Sequence, residues 1–444
     1  MKRLIYNDLL SWKDARDRKP LILRGARQVG KSYILTEFGK NEFPAFHRFD
    51  FEKNGSDLIP LFEGSLDPKE IIQGLEVVQN RSIAQGDLVI LDEIQNCPRA
   101  LTSLKYFCEE RPLQPVCAAG SLLGVALSEE SYPVGKVSYL ELFPMPFEEF
   151  LMNSGQALLY DAYCSSWEKK KISSVVHTRL WGLLKKYYVV GGMPEVVAAF
   201  FGLLDQGVEG FLAVRDKQKE LLRSFLEDFI KHSGAVNASH LSAVFENVPR
   251  QLSGHVDASV KRYRFKDVLP GGKGYAFLES PIHWLEKAGL VYKVQVCSRA
   301  EIPFQTFCKP NLFKVFVFDV GLLGCMLDLS PAVLMMQDYG LTKGFFAENF
   351  VAGEFKASGE SVLYSWTERN SEIEFMIERE GKIIPIEVKS GLRTQAKSLS
   401  QYLLKYQPNR AIKISGQPLA VGEGIVDHIP LYYSGKICEK TGGY

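Results

Sequence analysis

The octapeptide from Gly25 to Ser32 constrains this chain more than any other feature. It satisfies G-x-x-x-x-G-K-[ST] at each fixed position, follows the apolar run Pro20-Leu-Ile-Leu23, and opens a helical stretch from Ser32 to Phe38. Strand, glycine-rich loop and helix, in that order, form the context this motif requires. Glycines let backbone N–H groups curl around a phosphate, and the start of a helix adds positive potential. Gly25, Ala26, Arg27, Gln28, Val29, Gly30, Lys31, Ser32 and Tyr33 are therefore expected to bind ATP or a close purine nucleoside triphosphate. Lys31 would reach the β- and γ-phosphates, and the Ser32 hydroxyl would ligate Mg²⁺.

Around the motif, short apolar runs alternate with helical segments. Strands are predicted at Pro20–Gly25, Phe46–Phe51, Leu88–Leu91, Val116–Ala119 and Val137–Leu142, which argues for a parallel α/β sheet. Asp92 and Glu93 follow the third run, at the strand end where ligands gather in such sheets. Asp92 would hold the Mg²⁺ shell and Glu93 would polarise the attacking water; the plainer alternative is that both cap a helix. Ser121 follows the fourth run and would contact the γ-phosphate or position water, unless it is a simple turn serine. Arg24, Arg27, Arg99 and Arg223 are candidates for steadying transition-state charge.

A chain of 444 residues is too long for one core. The pattern divides it at 1–150 (P-loop core), 151–237 (helical), 238–335 (helices then a hairpin, as in a winged helix) and 336–444 (a last α/β unit). Lys217–His232 carries Leu221, Leu222, Phe225, Phe229 and Ile230 on one helical face. The net charge of +1 gives no bulk attraction to polyanions, so any contact with DNA must be local. No signal-peptide pattern and no run long enough to span a bilayer are visible, so a cytoplasmic protein without membrane contact is expected. Eight cysteines include no C-x-x-C pair, and they read as buried or incidental thiols.

Several segments together, Arg24–Ser32, Leu91–Gln95, Ala119–Ser121, Glu141–Phe150, Gly191–Glu195 and Phe318–Leu323, resemble a family of prokaryotic AAA+-like ATPases with an uncharacterised C-terminal domain. The resemblance runs over nearly the whole chain. It implies an additional-strand P-loop core with an adjacent helical lid.

The last unit holds a second charged pattern. In Ile384-Pro-Ile-Glu-Val-Lys389, Glu387 and Lys389 share one strand face, with Ile384, Ile386 and Val388 on the other. A tight turn at Glu380-Gly381 would pair Arg379 with Lys382 and, counting outward, Glu374 with Glu387. Two opposed carboxylates beside a lysine suit a divalent metal and a water activated for phosphodiester hydrolysis. This arrangement resembles PD-(D/E)xK nucleases, and the resemblance makes Glu348, on the preceding helix, a third acid. That family usually has aspartate where Glu374 stands. The alternative is a retained fold with a solvated charged face that binds a protein partner. Arg250, Lys261, Arg262, Arg264, Lys266 and Lys273, interleaved with Tyr263 and Phe265, form a basic stretch suited to duplex DNA.

Overall fold

Each apolar run of the first third becomes a strand: β1 (Leu21–Arg24), β2 (Phe46–Asp50), β3 (Leu88–Asp92), β4 (Val116–Ala119) and β5 (Ser138–Glu141). In this computed structural model, residues 1–121, 135–203, 208–254, 262–266, 268–269, 271, 274–335, 342–391, 397–422 and 424–439 are described. They form two compact units, one of residues 1–143 with 287–289, the other of 144–286 with 290–444.

In the first unit all strand pairs are parallel and the order is β2-β3-β4-β1-β5. Of the three inner strands, β3 and β4 are buried at every residue and β1 at all but its last, as a sheet covered on both faces requires, whereas β2 and β5 at the edges keep exposed positions. Leu75, Leu104 and Phe107 from the flanking helices close over Ile22, Phe49 and Leu91 in a single core. The strand β4 lies between β1 and β3, which is the inserted strand implied by the family resemblance. Because all five strands run the same way, the loop after β1, the carboxylates after β3 and the residues after β4 emerge at one edge of the sheet.

The second unit corrects the expected domain plan. Its sheet has seven strands in the order β12-β11-β10-β9-β8-β6-β7. These are β6 (Val291–Cys297), β7 (Cys308–Val317), β8 (Leu363–Glu368), β9 (Ser371–Arg379), β10 (Lys382–Val388), β11 (Ala411–Ser415) and β12 (Val426–Pro430). The hairpin β6–β7, read from sequence as the wing of a separate module, pairs on through β6 to β8, so the division expected at 335/336 runs through one sheet. The physical reason is burial: Val291, Val294 and Val296 of β6 are all buried, and a lone two-stranded hairpin cannot cover them.

The helices expected as a lid over the P-loop core belong to this second unit as well. Tyr163 in the helix Ala157–Glu168 donates to the Tyr432 carbonyl, and Tyr433 donates to the Tyr163 carbonyl. Tyr187 in the helix Ser174–Val190 meets Phe350 edge to face. On the helix Val208–Ser233, Leu221, Phe225 and Phe229 are buried as predicted, but Ile230 is 63% exposed and lies off that face.

Three of the segments that carried the resemblance meet in one buried turn. Gly191 has φ +74°, and a Cβ there would lie 2.2 Å from Asp319 Oδ1. Gly192 donates to Asp319 Oδ2 at 2.6 Å, while its carbonyl accepts from Met145 N at 2.7 Å. The other carboxylate oxygen of Asp319 caps the helix Val320–Met326 by accepting from Leu322 N. Met145, Gly191–Gly192 and Asp319 therefore tie these segments together within the second unit.

Candidate nucleotide-binding site

The strand β1 ends in a loop whose backbone only glycine permits at two points. Gly25 has φ +142°, and a Cβ on it would lie 2.1 Å from the Leu142 carbonyl oxygen. Gly30, at φ +96°, opens the helix Lys31–Glu42 in the left-handed region. That helix has no side-chain cap and no acidic residue in its first turn, so nothing within the helix offsets the positive charge of its leading N–H groups. Arg3 fixes the loop from outside: its guanidinium donates to the Val29 carbonyl at 2.8 Å and to the Phe143 carbonyl at 2.6 Å. Sequence reasoning missed Arg3, since nothing local links it to a loop some 25 residues on.

Lys31 is buried and donates to the carbonyls of Gly25 at 2.9 Å and Ala26 at 2.8 Å. Burial pulls its ammonium down to about 8, against the pull of Glu93 and Asp92 in the other direction. Ser32 is half-buried beside it, and Tyr33 is half-exposed on the same turn. Asp92 is buried at the end of β3, where its Oδ2 accepts from Arg48 Nε at 2.8 Å and its Oδ1 from Glu93 N at 3.2 Å. The Arg48 partnership was not foreseen; Arg48 lies two residues before Asp50 on β2, which aligns Asp50 with Asp92.

Glu93 has φ +51°, a left-handed conformation uncommon for a glutamate. It precedes a short 3-10 turn, yet its side chain makes no capping bond; its Oε2 accepts from Gln95 Nε2 at 2.6 Å instead. Helix capping therefore does not account for Glu93. Ser121 is buried just beyond β4, and the segment that follows it lies outside the described residues. Of the arginine candidates, Arg99 is committed to the Phe62 and Gly64 carbonyls, Arg27 lies 3.9 Å from Glu52, and Arg24 stacks over Tyr139. Arg223 belongs to the other unit.

The carboxylates of the second unit gather much as expected. The pairing Lys382↔Arg379 through Ile386↔Phe375 is the predicted register, and its next step outward sets Glu387 against Glu374. Glu374 Oε2 accepts from Val388 N at 3.0 Å, and Lys389 Nζ lies 2.5 Å from Glu387 Oε1 and 3.8 Å from Glu374 Oε1. Burial, then the neighbouring Glu387, lifts the Glu374 carboxyl to about 8. Burial pulls Lys389 down, but Glu374 and Glu387 outweigh it and hold the ammonium above the ordinary lysine range.

One participant was not predicted. Lys314, buried on β7, pairs with Glu372 and lies 3.9 Å from Glu348 Oε2. Glu348, Glu374 and Glu387 are all buried, and among the described residues no group of three or more His, Cys, Asp or Glu side chains is arranged to hold a metal ion. The basic stretch is only partly described, since Lys261 and Lys273 lie outside the described residues. Arg262, Arg264 and Lys266 are exposed, whereas Tyr263 is buried and stacks on Phe313 with Phe265 packed at its edge. Of the interleaved aromatics, Tyr263 is a core residue and Phe265 is half-buried against it.

Residues 17–151 match the sequence profile of an AAA domain. Residues 182–333 and 343–432 match two domains of unknown function, DUF8612 and DUF4143. A comparison with curated proteins finds no match. Among solved structures, one of Drosophila ORC bound to DNA is similar at 13% identity and a TM-score of 0.29, over 73% of this chain and 94% of that one. A signal transduction ATPase with numerous domains and a tetratricopeptide repeat sensor, from Pyrococcus horikoshii, is similar at 12% identity and a TM-score of 0.26, over 80% of this chain and 45% of that one. Among the described residues no helix is long and apolar enough to cross a membrane. The first unit carries an AAA-like P-loop ATPase domain, on the strength of the profile match, the inserted strand β4 and the loop geometry.

Proposed function

We propose that the chain hydrolyses ATP at the edge of its five-stranded sheet and uses the cycle to control what its C-terminal domain binds. One observation carries the nucleotide part: the left-handed Gly30, the uncapped helix start and buried Lys31 stand at the same sheet edge as Asp92 and Glu93. These residues fit a triphosphate with Mg²⁺. Lys31 and the N–H groups from Gly30 onward would hold the phosphates, and Ser32 and Asp92 would hold the metal shell. The metal, when bound, supplies charge neutralisation on the phosphate oxygens. Glu93 orients and deprotonates the attacking water, and Gln95 steadies its carboxylate.

On binding, Lys31 would exchange two neutral carbonyl partners for anionic oxygens, which pull its ammonium back toward the ordinary lysine range. The test is Glu93→Gln, which should keep ATP-induced thermal stabilisation while phosphate release drops about 100-fold or more. Unaltered turnover in that variant would remove Glu93 from the chemistry. Lys31→Ala should lose the stabilisation itself.

For the C-terminal domain, the reading supported best is a nuclease-like frame that binds a protein partner and does not cut. Its support is the pairing of Lys314 with Glu372 and its approach to Glu348, which places an internal ammonium among the acids a metal would need. Incubation of plasmid DNA with Mg²⁺ or Mn²⁺ should leave it intact, and cleavage that disappears in Glu387→Ala would reinstate the metal-dependent reading. The exposed Arg262, Arg264 and Lys266 favour a second reading, a duplex contact. It requires affinity that falls steeply with salt and a shallower slope when the three become alanine.

A further inference from the structure

Two thiols outside both sites stand opposite each other at the base of the β6–β7 hairpin. Cys297, the last residue of β6, is the register partner of Cys308, the first residue of β7, and their sulfurs are 2.9 Å apart. The pairing depends on an irregularity: continuing the Gln295↔Phe313 register would bring Asn311 opposite Cys297, but the register shifts between Gln295 and Cys297. The next pair outward is hydrogen-bonded through Ser298 N to the Phe307 carbonyl at 2.9 Å. Cys297 and Cys308 therefore occupy a non-hydrogen-bonded position of the antiparallel ladder, where Cα atoms approach to about 4.5 Å. That separation falls within the range a disulfide spans.

We propose that Cys297 and Cys308 form a reversible dithiol–disulfide pair that exchanges with low-molecular-weight disulfides. The two residues are unequal in the way such a pair requires. Cys297 is fully buried, while Cys308 is partly exposed between exposed Thr306 and Lys309. The two sulfurs share a hydrogen bond at 2.9 Å, and within the pair Cys308 is pushed down and Cys297 up. Because a small disulfide can reach Cys308 but not buried Cys297, Cys308 is the attacking thiol, reacting as its thiolate, and Cys297 the resolving thiol.

In the first step the Cys308 thiolate bonds to one sulfur of the small disulfide and releases a thiolate. In the second, the Cys297 sulfur bonds to Cys308 Sγ, the mixed disulfide breaks, and the Cys297 proton leaves with the departing thiol. One small disulfide becomes two thiols, and the protein loses two hydrogens. The bridge would clamp the connection 298–307, whose Phe304 is buried against Tyr364 and whose Ala300 N reaches the Tyr406 hydroxyl at 3.5 Å.

The test equilibrates the full chain with reduced and oxidised glutathione at a series of ratios, counts thiols and maps tryptic peptides. The expected result is loss of two of the eight thiols and a linked pair of peptides, 294–299 with 300–314, that separates on reduction. Cys297→Ser should trap glutathione on Cys308, and Cys308→Ser should leave Cys297 unmodified. The proposal is overturned if the wild type keeps all eight thiols at the most oxidising ratio, retains glutathione on Cys308, or forms its disulfide elsewhere. Peptide mapping of the wild type decides the matter even where a serine variant fails to fold.

Discussion

At the residue scale, the ion pair between Arg48 and Asp92 carries the most information about the nucleotide site. Asp92 is buried, and Arg48 supplies it with two donors, Nε at 2.8 Å and a terminal nitrogen at 2.6 Å. Removing one partner of a buried charge leaves the other unsatisfied, at a cost of about 1–3 kcal/mol. Arg48→Ala should therefore lower the melting temperature of the nucleotide-free protein. Mg²⁺ with ATP should then recover more stability than in the wild type, because the metal shell now compensates Asp92. Equal gains in both proteins, read by differential scanning fluorimetry, would separate Arg48 from the metal site. The Lys314 ammonium plays the corresponding part among the carboxylates of the second unit, and neither cation is marked by a motif.

At the scale of elements, loops rather than helices or strands decide where chemistry and stability lie. The turn at Gly191–Gly192 joins the helix Ser174–Val190 to the next helix and closes onto Asp319. Gly191→Ala would put a methyl group 2.2 Å from Asp319 Oδ1 at a positive φ and should cost about 2–4 kcal/mol. Gly155 has a similar φ of +74° but open space around its missing Cβ, so Gly155→Ala should cost only about 1 kcal/mol. Urea midpoints of the two variants measure the contrast, and equal midpoints would show that the contact with Asp319 is irrelevant. The β9–β10 turn was legible in sequence because Glu380 and Gly381, both at positive φ, sit between strands whose alternation sets the register. The position of β6 was not legible, because a hairpin pattern specifies its own two strands and says nothing about a third.

For the molecule as a whole, buried carboxyls make stability depend on pH. Burial holds Glu354 and Glu374 at about 8 and Asp319 at about 6, all raised above ordinary carboxyl values. In the window between the ordinary and the raised values the folded chain binds more protons than the unfolded one, so stability falls as pH rises from about 4.5 to 8. Each fully shifted group contributes a slope of up to about 1.4 kcal/mol per pH unit. Glu354→Gln, which keeps an acceptor for Phe147 N, should flatten that slope, and an unchanged slope in denaturation midpoints measured from pH 5 to 8 would count against it. What the sequence determined alone was local: the phosphate loop, the carboxylates that end β3, and the hairpin register that opposes Glu374 and Glu387. Each depends on residues a few positions apart, or on the period-two geometry of a strand. The tertiary structure decided what long-range contact creates. It set Arg48 on Asp92, Arg3 on the phosphate loop, Lys314 among distant acids and Cys297 opposite Cys308 through a register shift. It also merged the presumed lid and wing into the C-terminal unit. Burial is the physical reason: it is a property of the assembled sheet and its covering helices, and buried charges and apolar strand faces recruit partners that no spacing along the chain announces.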